Sequence, residues 1–103
     1  MPGPGPAPAN RLVLSATLVE MASPRYTPAG IPAIDVQLLH ASQQDDSGQP
    51  RQVTLQLRGI AFGAQADRLV RTPLGAELQF QGFLTNGRNG KGVVFHIQDF
   101  KPI

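Results

Sequence analysis

Apolar residues return at every second position in run after run of this chain, and that period confines it to β structure. Residues 10–21 put Leu12, Leu14, Ala16 and Leu18 on one face and Val13, Ser15, Thr17 and Val19 on the other. Residues 33–40 alternate again, with Ile34, Val36 and Leu38 inward. Residues 51–58 give the clearest case: Val53, Leu55 and Leu57 face one way, and Gln52, Thr54, Gln56 and Arg58 the other. After a break the pattern resumes at residues 76–84, where Leu78, Phe80, Gly82 and Leu84 share a face. It closes with Val93, Phe95 and Ile97. β-branched content and turn residues between the runs support five strands.

The segments between them read as connections. Residues 22–32 hold three prolines and a glycine and form a loop. Residues 42–50 form a polar turn. In the break at residues 59–75, the middle part (61–70) spaces Phe62, Ala66, Leu69 and Val70 as a short helix would, although Gly63 weakens it. Residues 1–9 alternate proline with small side chains and are expected to be a disordered Pro/Gly-rich tail, leaving residues 10–103 as one domain.

An all-β chain with three strands, a short helical or irregular link and two more strands matches the OB-fold, a five-stranded Greek-key barrel. An SH3-like barrel or an open antiparallel sheet fits much of the same pattern. Gly82 inside a strand favours a barrel, where strands bend sharply or approach closely.

Composition narrows the chemistry. The chain has 103 residues, a net charge of +2 and no cysteine, which removes disulfides, thiolate ligands and cysteine nucleophiles together. No apolar run nears the ~20 residues of a membrane span, and the chain opens with neither a basic start nor an apolar core of a signal peptide. A cytoplasmic protein fits these features. Asp45 and Asp46 are adjacent and point to opposite faces of an extended chain, so they cannot easily share a substrate. His40 and His96 lie in no metal-like cluster, and the four serines have no nucleophile motif. The glycines near Lys91 miss the phosphate-loop spacing and lead into a strand, where a phosphate loop leads into a helix. No enzyme activity, cofactor or metal is therefore expected.

The cations point to a polyanion. An OB barrel holds nucleic acid on the outer face of its second and third strands, between the loops joining strands one–two and four–five. Arg25 lies in the first of those loops, Arg51 and Arg58 bracket the third strand, and Arg88 and Lys91 lie in the second loop, five of nine cations in all. Glycines around Arg88 and Lys91 let that loop approach a ligand closely. The same composition would also suit any exposed hairpin. Asp35 runs against the trend, since its parity matches the polar face. Stacking side chains are few: Tyr26 and Phe83 are the exposed aromatic candidates, while Thr54 and Gln56 fill the third strand's polar face. Binding would then rest mainly on phosphates and depend strongly on salt.

The segments NRLVLSATL (10–18), TPAGIP (27–32), LLHAS (38–42), Arg51-Gln52, LQFQGFL (78–84) and NGKGVVFH (89–96) resemble the primosomal replication protein N (PriB) family, in order along about nine-tenths of the chain. The resemblance implies an OB-fold homodimer that binds single-stranded DNA. It further implies a non-enzymatic accessory role in replication restart, contacting the primosomal helicase and other primosome proteins. It assigns DNA contacts to Arg25, Arg51, Arg88 and Lys91. Some members carry an aromatic residue where Thr54 stands, and their last loop can be longer and richer in lysine. The alternative is a protein-interaction module with only incidental DNA binding.

Overall fold

In the computed structural model, which describes residues 8–87 and 90–103, the first strand has partners on both sides. β1 (Leu12–Met21) pairs antiparallel with β5 (Glu77–Asn86) along its first half and with β3 (Pro32–Asp46) along its second. β3 pairs with β4 (Gln49–Phe62), and β5 pairs with β6 (Val93–Pro102). The ring closes where β4 and β6 run parallel for three residues, Arg58–Ile60 against Val94–His96. The resulting order, β1-β3-β4-β6-β5 and back to β1, is the expected five-stranded OB barrel. A two-residue strand, β2 (Arg25–Tyr26), lies against the start of β3, and α1 (Ala64–Val70) links β4 to β5.

Most inward positions are those the alternation predicts, although Leu84, grouped with Leu78 and Phe80, is 38% exposed where β5 runs past the core. Leu18, Ile34, Leu38, Phe80, Phe95 and Ile97 are fully buried and form the core with Ala61 and Leu69. At about 25 cal/mol per Å² of apolar surface, burial of such side chains is the main force closing the barrel. His40 is buried at the core's margin and satisfied on both ring nitrogens. Its Nδ1 donates to the Ser15 carbonyl at 2.6 Å, and its Nε2 shares a hydrogen bond with the Ser42 hydroxyl at 2.7 Å. It acts as a structural residue. Arg68 fastens α1 to β6: it donates to Asp99 Oδ1 and the Phe100 carbonyl, both at 2.9 Å, and lies over the Phe100 ring.

Three features depart from the sequence reading. The polar turn expected at residues 42–50 is only two residues, because β3 and β4 continue as a long arm to Ser47 and Gly48. Both take positive φ, 55° and 80°, as a two-residue hairpin turn requires. The arm stands outside the barrel and its outer residues are exposed on both faces, so no hydrophobic alternation marks them. For the same reason Val53 and Leu55 miss the core, and Leu57 alone of that trio packs against it. The helix starts at Ala64, three residues later than expected, so Ala61 and Phe62 finish β4. Val93 is 54% exposed, and the inward set of β6 begins at Phe95.

Residues 1–7 of the expected tail lie outside the described residues. Just after it, Asn10 is tied by its amide to both the N–H and the carbonyl of Leu84, at 2.9 and 2.8 Å. Among the described residues no helix is long and apolar enough to cross a membrane.

Gly82 sits at a register shift between β5 and β6, facing the His96 backbone. A Cβ there would collide with the His96 carbonyl and touch the Phe95 ring at 2.9 Å. Gly82→Ala is expected to destabilise the domain by about 1–3 kcal/mol or more, read by chemical denaturation, because rigid backbone must move.

Candidate nucleic-acid interface

The barrel's outer face is built from residues of the opposite parity to the core. Strand register aligns them in rows that cross four strands. One row runs Asp35, Ile60, His96, Phe83, from β3 through β4 and β6 to β5. Its neighbour runs Gln37, Arg58, Val94, Thr85. At ~4.8 Å between strands, each row spans roughly 14 Å. All of their residues but Gln37 and Phe83, together with Arg25, Phe62, Asn86 at the end of β5 and Gly87 in the loop after it, line a groove of about 580 Å³, and Phe83 stands beside it.

The groove floor is aromatic. His96 stacks on Phe83 with ring centroids 4.4 Å apart and planes 24° from parallel. Phe62 tilts against its other side at 5.1 Å and 44°. All three side chains are half-buried, leaving ring surface toward solvent. Burial lowers the His96 pKa from its ordinary 6.5, so at neutral pH the ring is an uncharged stacking surface. Alternation in Val94-Phe95-His96-Ile97 already points His96 outward, and Phe62 continues the parity of Arg58 and Ile60. The helical reading of residues 61–70 hid Phe62, and the absence of a metal cluster left His96 without a role.

The expected contact residues are only partly brought together. Arg58 is exposed at the centre of the face, and Arg25 reaches the groove wall from β2. Arg25 is ion-paired with Asp35, Nη2 to Oδ2 at 3.0 Å, which explains how an acidic residue stands on this face. Thr54 and Gln56 extend the Arg58 row outward along the arm, both exposed. Arg51 has the opposite parity to Arg58, lies toward the arm's tip and pairs with Asp46 at 3.0 Å, so the fold does not bring it to the groove. Tyr26 is 74% exposed but turns the other way, into a separate cleft against α1 with Pro24, Pro32 and Arg71. Lys91 is exposed in the β5–β6 loop, whose base is bridged by the Gly87 N–H and the Gly92 carbonyl at 3.2 Å. Arg88 lies outside the described residues.

A closed five-stranded barrel with rings and arginines on the outer face of its strands has the architecture of the single-strand-binding class of OB-fold proteins. Residues 10–99 match a family model described as another single-strand binding protein family. Single-stranded DNA binding protein from Thermus aquaticus superposes with a TM-score of 0.72 at 26% identity, over 92% of this chain and 50% of that one. Nearer relatives are more specific. Replication restart protein PriB of Bordetella pertussis is 42% identical over 95 residues, 91% of this chain and 89% of its own. The Nitrosomonas europaea PriB is 31% identical over 107 residues, covering 100% and 99%. The PriB structure from Ralstonia solanacearum gives a TM-score of 0.85 at 38% identity, covering 92% of this chain and 98% of that one. The chain belongs to the PriB family.

The His96 shift sets a pH dependence. With its folded pKa below the unfolded value of 6.5, the unfolded chain binds the proton more readily. The contribution is complete above that value and is lost as pH falls below it. Asp99 is also lowered, first by its hydrogen bond from Arg68, but it acts in the more acidic carboxylate range. Melting temperature is therefore expected to fall between about pH 7.5 and about pH 5.5, and to fall less in His96→Phe.

Proposed function

We propose that this protein binds single-stranded DNA across its outer face and serves in replication restart. Bases stack on the Phe62, His96 and Phe83 surface. Phosphates run past Arg58 toward Lys91 and Arg88, with Thr54 and Gln56 lining the approach along the arm. Arg25 flanks this path at the groove wall, while Arg51 on the arm and Tyr26 in its own cleft lie off it. The observation that carries the reading is the cluster of Phe62, His96 and Phe83 rings on the face that holds Arg58, beside a groove that the β5–β6 loop borders. Its support from relatives is the PriB name of the Bordetella and Nitrosomonas proteins and the single-strand binding description of the matching family model.

In this reading the protein is a cytoplasmic, non-enzymatic accessory of the primosome. It presents bound DNA to the primosomal helicase. A second copy completes it as a homodimer: the first half of β1 pairs only with β5 among the described residues, and Val13 beside that edge is exposed. A protein-interaction module with incidental DNA binding is the second reading, and the Tyr26 cleft favours it.

Titrating a labelled oligonucleotide at several salt concentrations separates the two. Micromolar or tighter binding that weakens steeply with salt is expected, and no binding at low salt would leave the interaction module. Replacing Arg58 and Lys91 with Ala should flatten the log–log salt slope by about 0.7 for each phosphate no longer neutralised. Phe83→Ala should weaken binding by about 1–3 kcal/mol, the worth of one stacked base, with the slope unchanged.

A further inference from the structure

Among the described residues Asp35 is the one carboxylate lining the groove, and a like charge is not what a phosphate backbone wants there. Its contacts explain what it can do. The Nε and Nη2 of Arg25 both reach Oδ2, at 3.1 and 3.0 Å. Oδ1 accepts no hydrogen bond among the described residues, and the side chain is 32% exposed. Asp35 also begins the row that continues through Ile60 and His96, so its carboxylate stands at one end of the stacking floor.

A phosphate at this wall would meet a like charge, which costs energy at short range. A base lying flat over Ile60 and His96 would instead turn its edge toward Asp35. There Oδ1 can accept from an exocyclic amino group, as Asp does from cytosine N4 elsewhere. Thymine places its O4 acceptor where cytosine carries that amino group, so oxygen would face oxygen. Arg25 holds the carboxylate through Oδ2 and leaves Oδ1 available to accept.

Resting on the single-stranded DNA reading, we infer that Asp35 forms a base-reading subsite that selects an amino-bearing base, cytosine over thymine, at one position on the floor. The subsite makes Asp35 a specificity-determining residue and leaves overall affinity to the cations and rings around it.

The test compares oligo-dC with oligo-dT of equal length by fluorescence anisotropy, since the two pyrimidines have the same size. Wild type is expected to prefer oligo-dC by about fivefold or more, the low end for one good base-edge contact. Asp35→Ala should lose that preference and bind oligo-dT more tightly, because a negative charge leaves the groove. Oligonucleotides of N4,N4-dimethylcytosine test the contact in unaltered protein: wild type should bind them no better than oligo-dT. Equal wild-type affinity for oligo-dC and oligo-dT overturns the subsite while leaving DNA binding intact. So does an oligo-dC preference that survives in Asp35→Ala. Failure of every oligonucleotide to bind at low salt overturns the subsite and the DNA reading together.

Discussion

Three residue pairs close this barrel. Where Arg58, Gly59 and Ile60 run parallel to Val94, Phe95 and His96, an otherwise antiparallel sheet becomes a ring. Gly59 allows it: a Cβ there would lie 3.0 Å from Ile97 Cδ1 and 3.1 Å from Val36 Cγ2, tighter than a packed core tolerates without shifts. Because successive residues point to opposite faces, closure has two consequences. Phe95 enters the core, and Arg58, Ile60 and His96 come side by side on the outside. The same short seam therefore shields the hydrophobic centre and assembles the groove.

How much of this is legible in the sequence depends on whether burial leaves a pattern. Leu18, Leu38, Phe80 and Ile97 lie on faces where water and core alternate, so their period announces both the strand and its inward side. The arm leaves no such trace, since water bathes both its faces, and its length emerges only from pairing with the turn at Ser47 and Gly48. Phe62 is ambiguous for a different reason. It fits a helical spacing with Ala66 and Leu69, and only the break at Gly63, φ 64°, assigns it to the strand. The Arg25–Asp35 pair joins residues ten apart through the packing of β2 on β3, which no local pattern reveals.

The cations, counted along the chain, suggest a surface held together by charge. The structure distributes them differently. Arg68 braces the helix, Arg51 answers Asp46 on the arm, and Arg25 answers Asp35. Arg58 and Lys91 remain exposed, with neither in an ion pair among the described residues. Exposed ion pairs contribute little to stability, so pairing here matters more for the positive charge it removes from the surface. What the outer face offers instead is ring surface: His96, uncharged at neutral pH, stacks on Phe83 and tilts against Phe62.

Amide chemical-shift mapping with a short single-stranded oligonucleotide tests the central claim most directly. If the groove is the DNA site, the largest shifts fall on Asp35, Ile60, Phe83 and His96, with Arg58 and Thr85 beside them. Shifts confined to the arm's tip, to the first half of β1 or to the Tyr26 cleft would contradict it.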